Sequence, residues 1–326
     1  MSELLLEIKD LNVSFKVFGG VLKVLDGINL TVNKAEKIGL VGEMGCGKTT
    51  TAKTIMRLLQ SPPAVIDKGE IIFKDRSLFN LNHREFMKIR RNEISMIFED
   101  PTAALNPVFT IGTQVRDAVK YAGDTNRRLS KKELQKGAIK TLEAVQLPDP
   151  ERVLQFYPNQ LSGGMRQRIC IAMALVSASD LLIADEPDTS LDVTIKDQIL
   201  RLLNNLVEDK HTSIILVSHS LGSVRRTTDR VYVMYAGSIV EYATTAELFK
   251  KAYHPYTIGL LASTPRLTGG GISTGIPGRI PDYKNPPTGC RFHPRCEKAM
   301  PICKVEKPPE FVIDEDHKVA CYLYAN

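Results

Sequence analysis

The chain has 326 residues, of which 43% are hydrophobic and 25% are charged, and its formal net charge is +6. These values are ordinary for a soluble globular protein with one large domain and a smaller appendage. No apolar run approaches the ~20 residues needed to cross a bilayer, which excludes a membrane-spanning helix. The first residues lack the basic start and long apolar stretch of a secretion signal. We therefore expect a cytoplasmic chain whose membrane role, if any, comes through partners.

The first informative element is a glycine loop between a predicted strand and a predicted helix. The apolar run Lys37–Val41 leads directly into Gly-Glu-Met-Gly-Cys-Gly-Lys-Thr at residues 42–49. This loop fits the phosphate-loop pattern G-x-x-x-x-G-K-[ST] without a mismatch, and residues 50–59 are predicted to form the helix that must follow it. By itself the pattern indicates only that the chain binds a nucleoside triphosphate.

Three further short apolar runs predict the other strands of a sheet. They are residues 94–98, within a stretch (84–179) that is otherwise mostly helical, residues 181–184 and residues 213–217. Continuous apolar runs of this length, separated by helical stretches, indicate strands buried on both faces of a largely parallel sheet. Ligands collect at the carboxyl ends of the strands in such a sheet.

Candidate catalytic residues lie at or after these strand ends, where the sheet would bring them together. Lys48 would contact the β- and γ-phosphates, while the hydroxyl of Thr49 would bind Mg²⁺. Asp185 ends its strand as a candidate Mg²⁺ ligand, and its neighbour Glu186 is the natural base for the attacking water. A lone histidine is more often part of a core, but the position of His219 after the third strand favours a contact with the γ-phosphate.

A second anion-binding element lies more than a hundred residues after the phosphate loop. The segment Ser162-Gly163-Gly164 opens a predicted helix and offers a hydroxyl together with closely approachable backbone N–H groups. Such groups at a helix N-terminus bind phosphate. Two phosphate-binding elements in one chain suggest an ATP held between two copies or two homologues.

The adenine base is expected to stack on an aromatic side chain near the N-terminus. Val13, Phe15 and Val17 alternate, which predicts that Phe15 belongs to the core. Phe18 breaks that alternation just before two glycines and is therefore our candidate for the base contact.

Four of the six cysteines, Cys290, Cys296, Cys303 and Cys321, occupy the last 37 residues. They follow a segment at 264–289 that is rich in glycine and proline and predicts an irregular connector. Disulfides are disfavoured in a cytoplasmic chain, and the close C-x₂₋₄-C pairs of structural zinc sites are absent. Four thiolates at wide spacing suit an iron–sulfur cluster, with nearby arginines and lysines offsetting its charge. Spacing alone leaves the cluster and zinc nearly equal.

The order of these motifs resembles that of ABC ATPases over about 200 residues. The resemblance implies a P-loop NTPase of the α/β class, with a RecA-like core and mainly parallel sheet, an antiparallel β N-terminal subdomain and a helical subdomain at about 103–178. It also implies a D-loop at Ser190, Leu191 and Asp192. ATP would be sandwiched between the phosphate loop of one chain and the signature of another, so a monomer should hydrolyse it poorly. The implied signature contacts in trans come from Ser162, Gly163, Gly164 and Gln167. The implied contacts in cis come from Phe18, Gly42, Glu43, Gly45, Cys46, Gly47, Lys48, Thr49 and Thr50.

Glu99 departs from the family pattern, which usually has a glutamine that touches Mg²⁺ and the attacking water. A carboxylate binds Mg²⁺ at least as well, but it adds negative charge beside the γ-phosphate. Even at an effective dielectric of ~20, a charge at 4 Å interacts by about 4 kcal/mol. We expect Glu99 to remain a Mg²⁺ and water contact that slows or alters turnover, although a tolerated variant is an equal alternative.

The residues from 251 onward resemble the C-terminal extension of ATPases from dipeptide and oligopeptide ABC importers. The resemblance rests on Ala-Tyr-His-Pro-Tyr-Thr at 252–257, Ile-Pro-Gly at 276–278 and Gly-Cys-Arg-Phe-His-Pro-Arg-Cys at 289–296. It implies an ATPase domain at 1–250, an extension at 251–326, and a four-iron four-sulfur cluster on the four cysteines.

The same resemblance implies the partners of the chain at the cytoplasmic face of the membrane. They are a second ATPase, identical or homologous, two transmembrane permease subunits and an extracytoplasmic solute-binding protein. Two alternatives stay open: an importer ATPase for another solute, such as an oligosaccharide or metal complex, and a soluble ABC ATPase acting on nucleic acid or ribosomes. A single cassette, no coiled-coil insertion and a modest charge disfavour the second, so no nucleic-acid partner is expected.

Overall fold

The computed structural model describes residues 3–122, 129–177, 180–189, 192–263 and 275–325. The chain forms two compact units, one of Met1–Asn80 with Leu216–Asn326 and one of Leu81–Ile215. The strands are, in chain order, β1 (Leu4–Val17), β2 (Gly20–Asn33), β3 (Lys37–Val41), β4 (Ala64–Phe73), β5 (Arg76–Ser77), β6 (Ile94–Ile97), β7 (Leu181–Asp185), β8 (Ser213–Ser218), β9 (Arg230–Tyr235), β10 (Ser238–Thr244), β11 (Phe311–Asp314) and β12 (His317–Val319). The helices are α1 (Lys48–Ile55), α2 (His83–Asn92), α3 (Pro101–Ala104), α4 (Ile111–Tyr121), α5 (Lys131–Ala144), α6 (Pro150–Val153), α7 (Gly163–Ser177), α8 (Val193–Lys210), α9 (Leu221–Thr227), α10 (Thr245–Lys250) and α11 (Pro255–Ala262).

The first unit contains an antiparallel sheet in the order β2-β1-β4-β5. Its two long strands, β1 and β2, pair along their lengths, but register shifts interrupt the pairing on either side of Val13. Gly69 in β4 has a φ of 104°, and a Cβ there would lie 2.5 Å from the carbonyl oxygen of Asp10. Only glycine lets β4 approach β1 this closely.

The first unit also contains a mixed sheet, in which β3 pairs in parallel with β9, and β9 pairs antiparallel with β10. Strands β12 and β11 extend this sheet beyond β10. All residues of β3 after Lys37 are buried, as a strand covered on both faces requires. The guanidinium of Arg230 forms a bidentate pair with Glu36, at 2.5 and 3.0 Å, and thereby fixes the start of β9 to the turn before β3.

The second unit is mainly helical and includes β6 and β7, which pair in parallel. Its central helix, α7, packs against α3, α4 and α5. Two of its helices begin with capping boxes, in which side chain and backbone exchange hydrogen bonds: Asn82 with Glu85 in α2, and Ser130 with Glu133 in α5. These caps satisfy N–H groups that a helix start leaves without partners.

The carboxy-terminal residues return to the first unit and are tied to it by one buried carboxylate. Glu241 in β10 is 1% exposed and accepts hydrogen bonds from the backbone N–H groups of Tyr253 (2.8 Å) and His254 (2.9 Å). The Nε2 atom of His317 in β12 lies 2.7 Å from the same carboxylate. The residues before α11 and strand β12 thus both contact the carboxylate of Glu241 in β10. The hydrogen bonds from the two backbone N–H groups offset the cost of burying this carboxylate.

The predicted fold class is confirmed, with an antiparallel N-terminal sheet, a mixed sheet and a helical region, and each predicted strand is present within two residues of its expected bounds. The helix predicted at 50–59 is shorter at its end, because α1 stops at Ile55 and Arg57 has a left-handed φ of 48°. Residues 275–289 of the predicted connector contain no helix or strand, whereas 264–274 lie outside the described residues. No helix in the described ranges has the length and apolarity needed to cross a bilayer.

The prediction that Phe15 belongs to the core is wrong, because its side chain is only half-buried. The register shifts around Val13 break the alternation of β1, so that Ser14 is buried directly after Val13. Beyond this point the strand runs to an exposed hairpin tip, where Phe18 is fully exposed.

Candidate nucleotide-binding site

The phosphate loop of the first unit lies between β3 and α1, as the sequence predicts. Lys48 opens α1 and is only 4% exposed, and its ammonium donates to the carbonyl oxygens of Gly42 (2.8 Å) and Glu43 (3.0 Å). These bonds hold the charged end of the side chain within the loop. Thr49 and Thr50 follow in the first turn of the helix and are half-buried.

Two glycines of the loop are required by its backbone path. Gly47 caps α1 with a left-handed φ of 112°, and a Cβ there would lie 2.8 Å from side-chain atoms of both Leu25 and Met234. At Gly42 a Cβ would collide with the backbone carbonyl of Met234. The loop is therefore packed tightly against β2 and β9, and its N–H groups can curl around an anion. Gly45 has a left-handed φ of 82° and is exposed.

Cys46 lies in the same loop but is fully buried. Burial raises the pKa of its thiol, although the nearby Lys48 opposes that effect. The side chain therefore acts as a small neutral packing group beneath the loop, and its predicted contact with nucleotide would come from its backbone.

In the second unit, two buried carboxylates occur at the end of β7. Asp185 is the last residue of the strand and is 2% exposed, and Glu186 is 6% exposed. Glu186 has a left-handed φ of 47°, an uncommon backbone conformation that clusters at functional sites. Its carboxylate accepts a 3.0 Å hydrogen bond from the hydroxyl of Thr189. The carboxylate of Glu186 is thus held by the turn that directly follows the strand ended by Asp185.

Glu99 and His219 each follow the end of a strand and are exposed. Glu99, in the second unit, comes two residues after β6. Asp100 caps α3 by accepting from the N–H of Thr102 at 2.8 Å, which explains the Asp-Pro pair that follows Glu99. His219, in the first unit, comes directly after β8.

The signature segment opens α7 in the second unit. The Ser162 hydroxyl is exposed and accepts from the N–H of Met165 at 3.3 Å, while Gly163 and Gly164 expose part of their backbone at the helix start. Gln167 is one turn further and is 2% exposed. Among the hydrogen bonds of the described chain, its side-chain nitrogen has no partner. This end of α7 has the donors and the macrodipole of an anion site.

Of the predicted D-loop, Ser190 and Leu191 lie outside the described residues. Asp192 is exposed and immediately precedes α8. The predicted residues therefore divide between the units, with the phosphate loop, Phe18 and His219 in the first, and the carboxylates and signature in the second.

Three residues of the carboxy-terminal segment, by which we mean residues 251–263 and 275–325, contact the phosphate loop. The sequence did not predict these contacts. Arg295 pairs with Glu43 at 2.7 and 3.1 Å. The hydroxyl of Tyr256 accepts from the N–H of Glu43, and that of Tyr283 donates to the carbonyl of Gly45. Arg295 and Tyr256 belong to sequence motifs of the carboxy-terminal extension, but nothing in the sequence links them to a loop more than 200 residues away.

The four cysteines of the carboxy-terminal segment form no disulfide and line one small cavity. Burial raises the pKa of Cys290 to about 11 and also raises the pKa of Cys296 and Cys321. Within the described ranges, no three metal-ligating side chains converge on a point where a single metal ion could bind.

Two of the arginines expected to offset the charge of a cluster, Arg291 and Arg295, form hydrogen bonds with other parts of the chain. Arg295 pairs with Glu43, and Arg291 donates to the carbonyl oxygens of Ala236 (2.5 Å) and Lys23 (3.2 Å). Both side chains therefore join the segment to other parts of the first unit, Arg295 to the phosphate loop and Arg291 to β2 and the residue after β9.

Comparison with known families agrees with this geometry. Residues 25–189 match the family described as ABC transporter, and residues 240–303 match the C-terminal region of oligopeptide/dipeptide transporters. The chain is 44% identical to the oligopeptide transport ATP-binding protein OppD of Bacillus subtilis, covering 98% of this chain and 88% of that protein. It is 41% identical to OppD of Salmonella typhimurium, covering 95% and 91%.

A solved structure of the ATP-binding cassette MJ0796, a dimer bound to ADP and Pi, is also similar. Its TM-score is 0.65 at 26% identity, covering 74% of this chain and 98% of that one. The chain therefore belongs to the ABC transporter family and, within it, to the ATP-binding proteins of oligopeptide and dipeptide transport.

Proposed function

We propose that this chain is the ATP-hydrolysing subunit of an ABC importer for oligopeptides or dipeptides. The observation that carries the proposal is similarity over 98% of the chain to peptide-transport ATP-binding proteins, including the carboxy-terminal segment. The match to the ATP-binding cassette MJ0796 covers 74% of the chain. We accordingly propose an ATPase domain at 1–250, with a helical subdomain at about 103–178, and an importer-specific extension at 251–326.

In the proposed mechanism the phosphate loop binds ATP and the carboxylates of β7 activate water. The ammonium of Lys48 would leave the loop carbonyls to contact the β- and γ-phosphates, and Thr49 would provide a hydroxyl to Mg²⁺. Asp185 would hold Mg²⁺, directly or through water. Glu186 would accept the proton of the attacking water, and His219 would contact the γ-phosphate.

Glu99 would be a further ligand or water contact at the metal, with a charge that the usual glutamine lacks. Because Mg²⁺ neutralises part of the phosphate charge, the carboxylate would weaken the binding of Mg-ATP little and would mainly change the rate of hydrolysis. Phe18 is proposed to stack on adenine, and its full exposure at the hairpin tip leaves its ring accessible to a base.

The signature would act on the nucleotide of a partner ATPase. The exposed Ser162 hydroxyl and the N–H groups of Gly163 and Gly164 would bind the γ-phosphate held by the other subunit, and Gln167 would support them from beneath. Residues 190–192 would form the D-loop between the subunits. ATP binding would close the pair, and hydrolysis with phosphate release would reopen it, which switches the access of two membrane permeases. We place the complex at the cytoplasmic face of the membrane, supplied by an extracytoplasmic solute-binding protein.

We infer that Cys290, Cys296, Cys303 and Cys321 hold a four-iron four-sulfur cluster. The preference for a cluster over zinc rests on the resemblance of this segment to the extension of peptide-importer ATPases; among the described residues, no group of metal-ligating side chains is placed to hold a metal ion. A cluster places iron and sulfide between its ligands, which suits thiols spread around one cavity. Bound iron would keep these sulfurs ionised despite their burial. Anaerobic purification should yield about four irons and four labile sulfides per chain; stoichiometric zinc without iron would overturn the assignment.

The proposed function is tested by isolating the tagged chain from gently solubilised membranes of its own cell. We expect two polytopic permeases and an ATPase partner to copurify, and a captured solute-binding protein to bind peptides. Binding of sugars or metal complexes instead would overturn the peptide assignment. Recovery with ribosomes or DNA-binding proteins, without permeases, would overturn the transporter assignment.

A further inference from the structure

An ion pair joins the carboxy-terminal segment to the phosphate loop. The Nη1 and Nη2 atoms of Arg295 donate to the two carboxylate oxygens of Glu43 at 2.7 and 3.1 Å. Glu43 is the second residue of the phosphate loop, so this pair joins the segment to the loop itself. Bidentate arginine–carboxylate pairs combine charge with a fixed geometry and are among the stronger hydrogen-bonded contacts in proteins.

The guanidinium of Arg295 is held on all sides. Its side chain is 5% exposed, whereas that of Glu43 is 29% exposed. Its Nε donates to the carbonyl of Pro277 at 2.8 Å, and Nη2 donates to the carbonyl of Ile276 at 3.1 Å. Its Cζ atom lies 5.6 Å from the centroid of the Tyr235 ring. The arginine is therefore a fixed group, and Glu43 is the member of the pair that it orients.

Two tyrosines hold the loop backbone beside this pair. The hydroxyl of Tyr256, a fully buried residue, accepts from the N–H of Glu43 at 2.9 Å. The hydroxyl of Tyr283 donates to the carbonyl of Gly45 at 2.7 Å, and its own backbone carbonyl accepts from the N–H of Lys23 in β2 at 2.8 Å. The segment thus fixes both a side chain and the backbone of the loop at neighbouring positions.

The negative charge of Glu43 would affect how strongly the phosphate loop binds nucleotide. A phosphate loop attracts a polyanion with N–H groups and one lysine, and an unpaired carboxylate in that loop would repel the same polyanion. Arg295 supplies the compensating positive charge and keeps the carboxylate turned toward the segment.

We propose that Arg295 is a positioning residue for nucleotide binding, which acts by neutralising and orienting Glu43 in the phosphate loop. The carboxy-terminal segment is then part of the nucleotide-binding apparatus as well as an appendage. This inference rests on the proposed function only in taking ATP as the ligand of the loop.

The test measures the Kd of the purified full chain for the fluorescent nucleotide mant-ADP with Mg²⁺. Arg295→Met should weaken binding about tenfold. The double variant Glu43→Gln/Arg295→Met, which also removes the repelling charge, should return to within about threefold of the wild-type Kd. The defect of Arg295→Met should shrink as salt is raised from 50 to 500 mM, because screening weakens repulsion by a partly exposed charge.

Three further variants serve as controls for general loss of charge, for the nucleotide site itself and for folding. Arg279→Met removes an exposed arginine of the same segment and should bind nucleotide as the wild type does. Lys48→Ala should lose binding; if it binds normally, the proposed nucleotide site itself is wrong. If Arg295→Met does not fold, as judged by circular dichroism, Arg295→Gln keeps a donor for the carbonyls of the segment and carries the same expectation.

Either of two results would overturn the inference while leaving the proposed function intact. The first is a folded Arg295→Met chain with a Kd within twofold of wild type. The second is a double variant that binds as weakly as Arg295→Met with no dependence on salt, since loss of structural support alone would not be relieved by removing the charge of Glu43.

Discussion

His254 makes the stability of the first unit sensitive to acid. It caps α11, where its Nδ1 accepts from the N–H of Tyr256 at 3.0 Å, and it is 1% exposed. Its ring packs on Phe292, with the centroids 5.6 Å apart. Burial lowers the pKa of His254 from 6.5 to about 4, although the carboxylate of Glu241 opposes the shift. The folded chain therefore holds this histidine neutral.

The sign of the effect follows from the two pKa values. Between pH 6.5 and about 4 the unfolded chain binds a proton on His254 that the folded chain does not, so the free energy of unfolding falls as the pH is lowered through this window. A pKa difference of one corresponds to about 1.4 kcal/mol, which gives a loss of about 2 kcal/mol at pH 5 and about 3 kcal/mol near pH 4. Above pH 7 the histidine is neutral in both states and contributes no pH dependence.

The assay is urea denaturation at pH 7 and pH 5 of the wild type and of His254→Asn, at matched iron content. Asparagine is a good helix cap without a titrating group, so the variant keeps the cap while losing the proton-linked penalty. Between pH 7 and pH 5 the wild type should lose about 2 kcal/mol more than the variant. All other titrating groups are common to the two chains. Equal losses would refute the reasoning that His254 is held neutral by burial.

Three further substitutions test the site and its scaffold. Glu186→Gln should lower the kcat of the assembled complex by about 10²–10⁴ without weakening Mg-ATP binding; an unchanged kcat would exclude Glu186 as the base. Glu99→Gln should raise steady-state ATPase turnover several-fold, and an unaltered rate would mean that the carboxylate is a tolerated variant. Arg230→Met leaves Glu36 partly buried without its ion partner and should cost about 2 kcal/mol in urea denaturation, partly recovered by adding Glu36→Gln; a loss below about 0.5 kcal/mol would contradict this.

The parts of the fold that the sequence predicts well are those fixed by local pattern. Lys37–Val41 and the runs that became β7 and β8 are short, continuous and apolar because both faces of these strands are covered. The glycine at position 47 is demanded by a left-handed turn that no other residue adopts easily. Such signals need no knowledge of the rest of the chain.

The sequence does not predict burial or side-chain partners that depend on segments far apart in the chain. Alternation suggested a core position for Phe15, but register shifts imposed by pairing with β2 and β4 moved burial to Ser14. Arg295 stands next to Cys296 in the sequence and is one of the arginines expected there to offset the charge of a cluster. It pairs instead with Glu43, 252 positions earlier, because the folded segment brings them together. Long-range pairing of this kind leaves no periodic trace in the sequence.

Whether this chain powers peptide import can be measured as peptide uptake by the reconstituted complex. The complete complex would be placed in proteoliposomes with the ATPase side inward, ATP enclosed, and labelled di- and oligopeptides offered outside with the solute-binding protein. We expect ATP-dependent accumulation of peptide that Lys48→Ala abolishes. Peptide entry that is equal without ATP or with Lys48→Ala, or uptake of another solute in place of peptides, would contradict it.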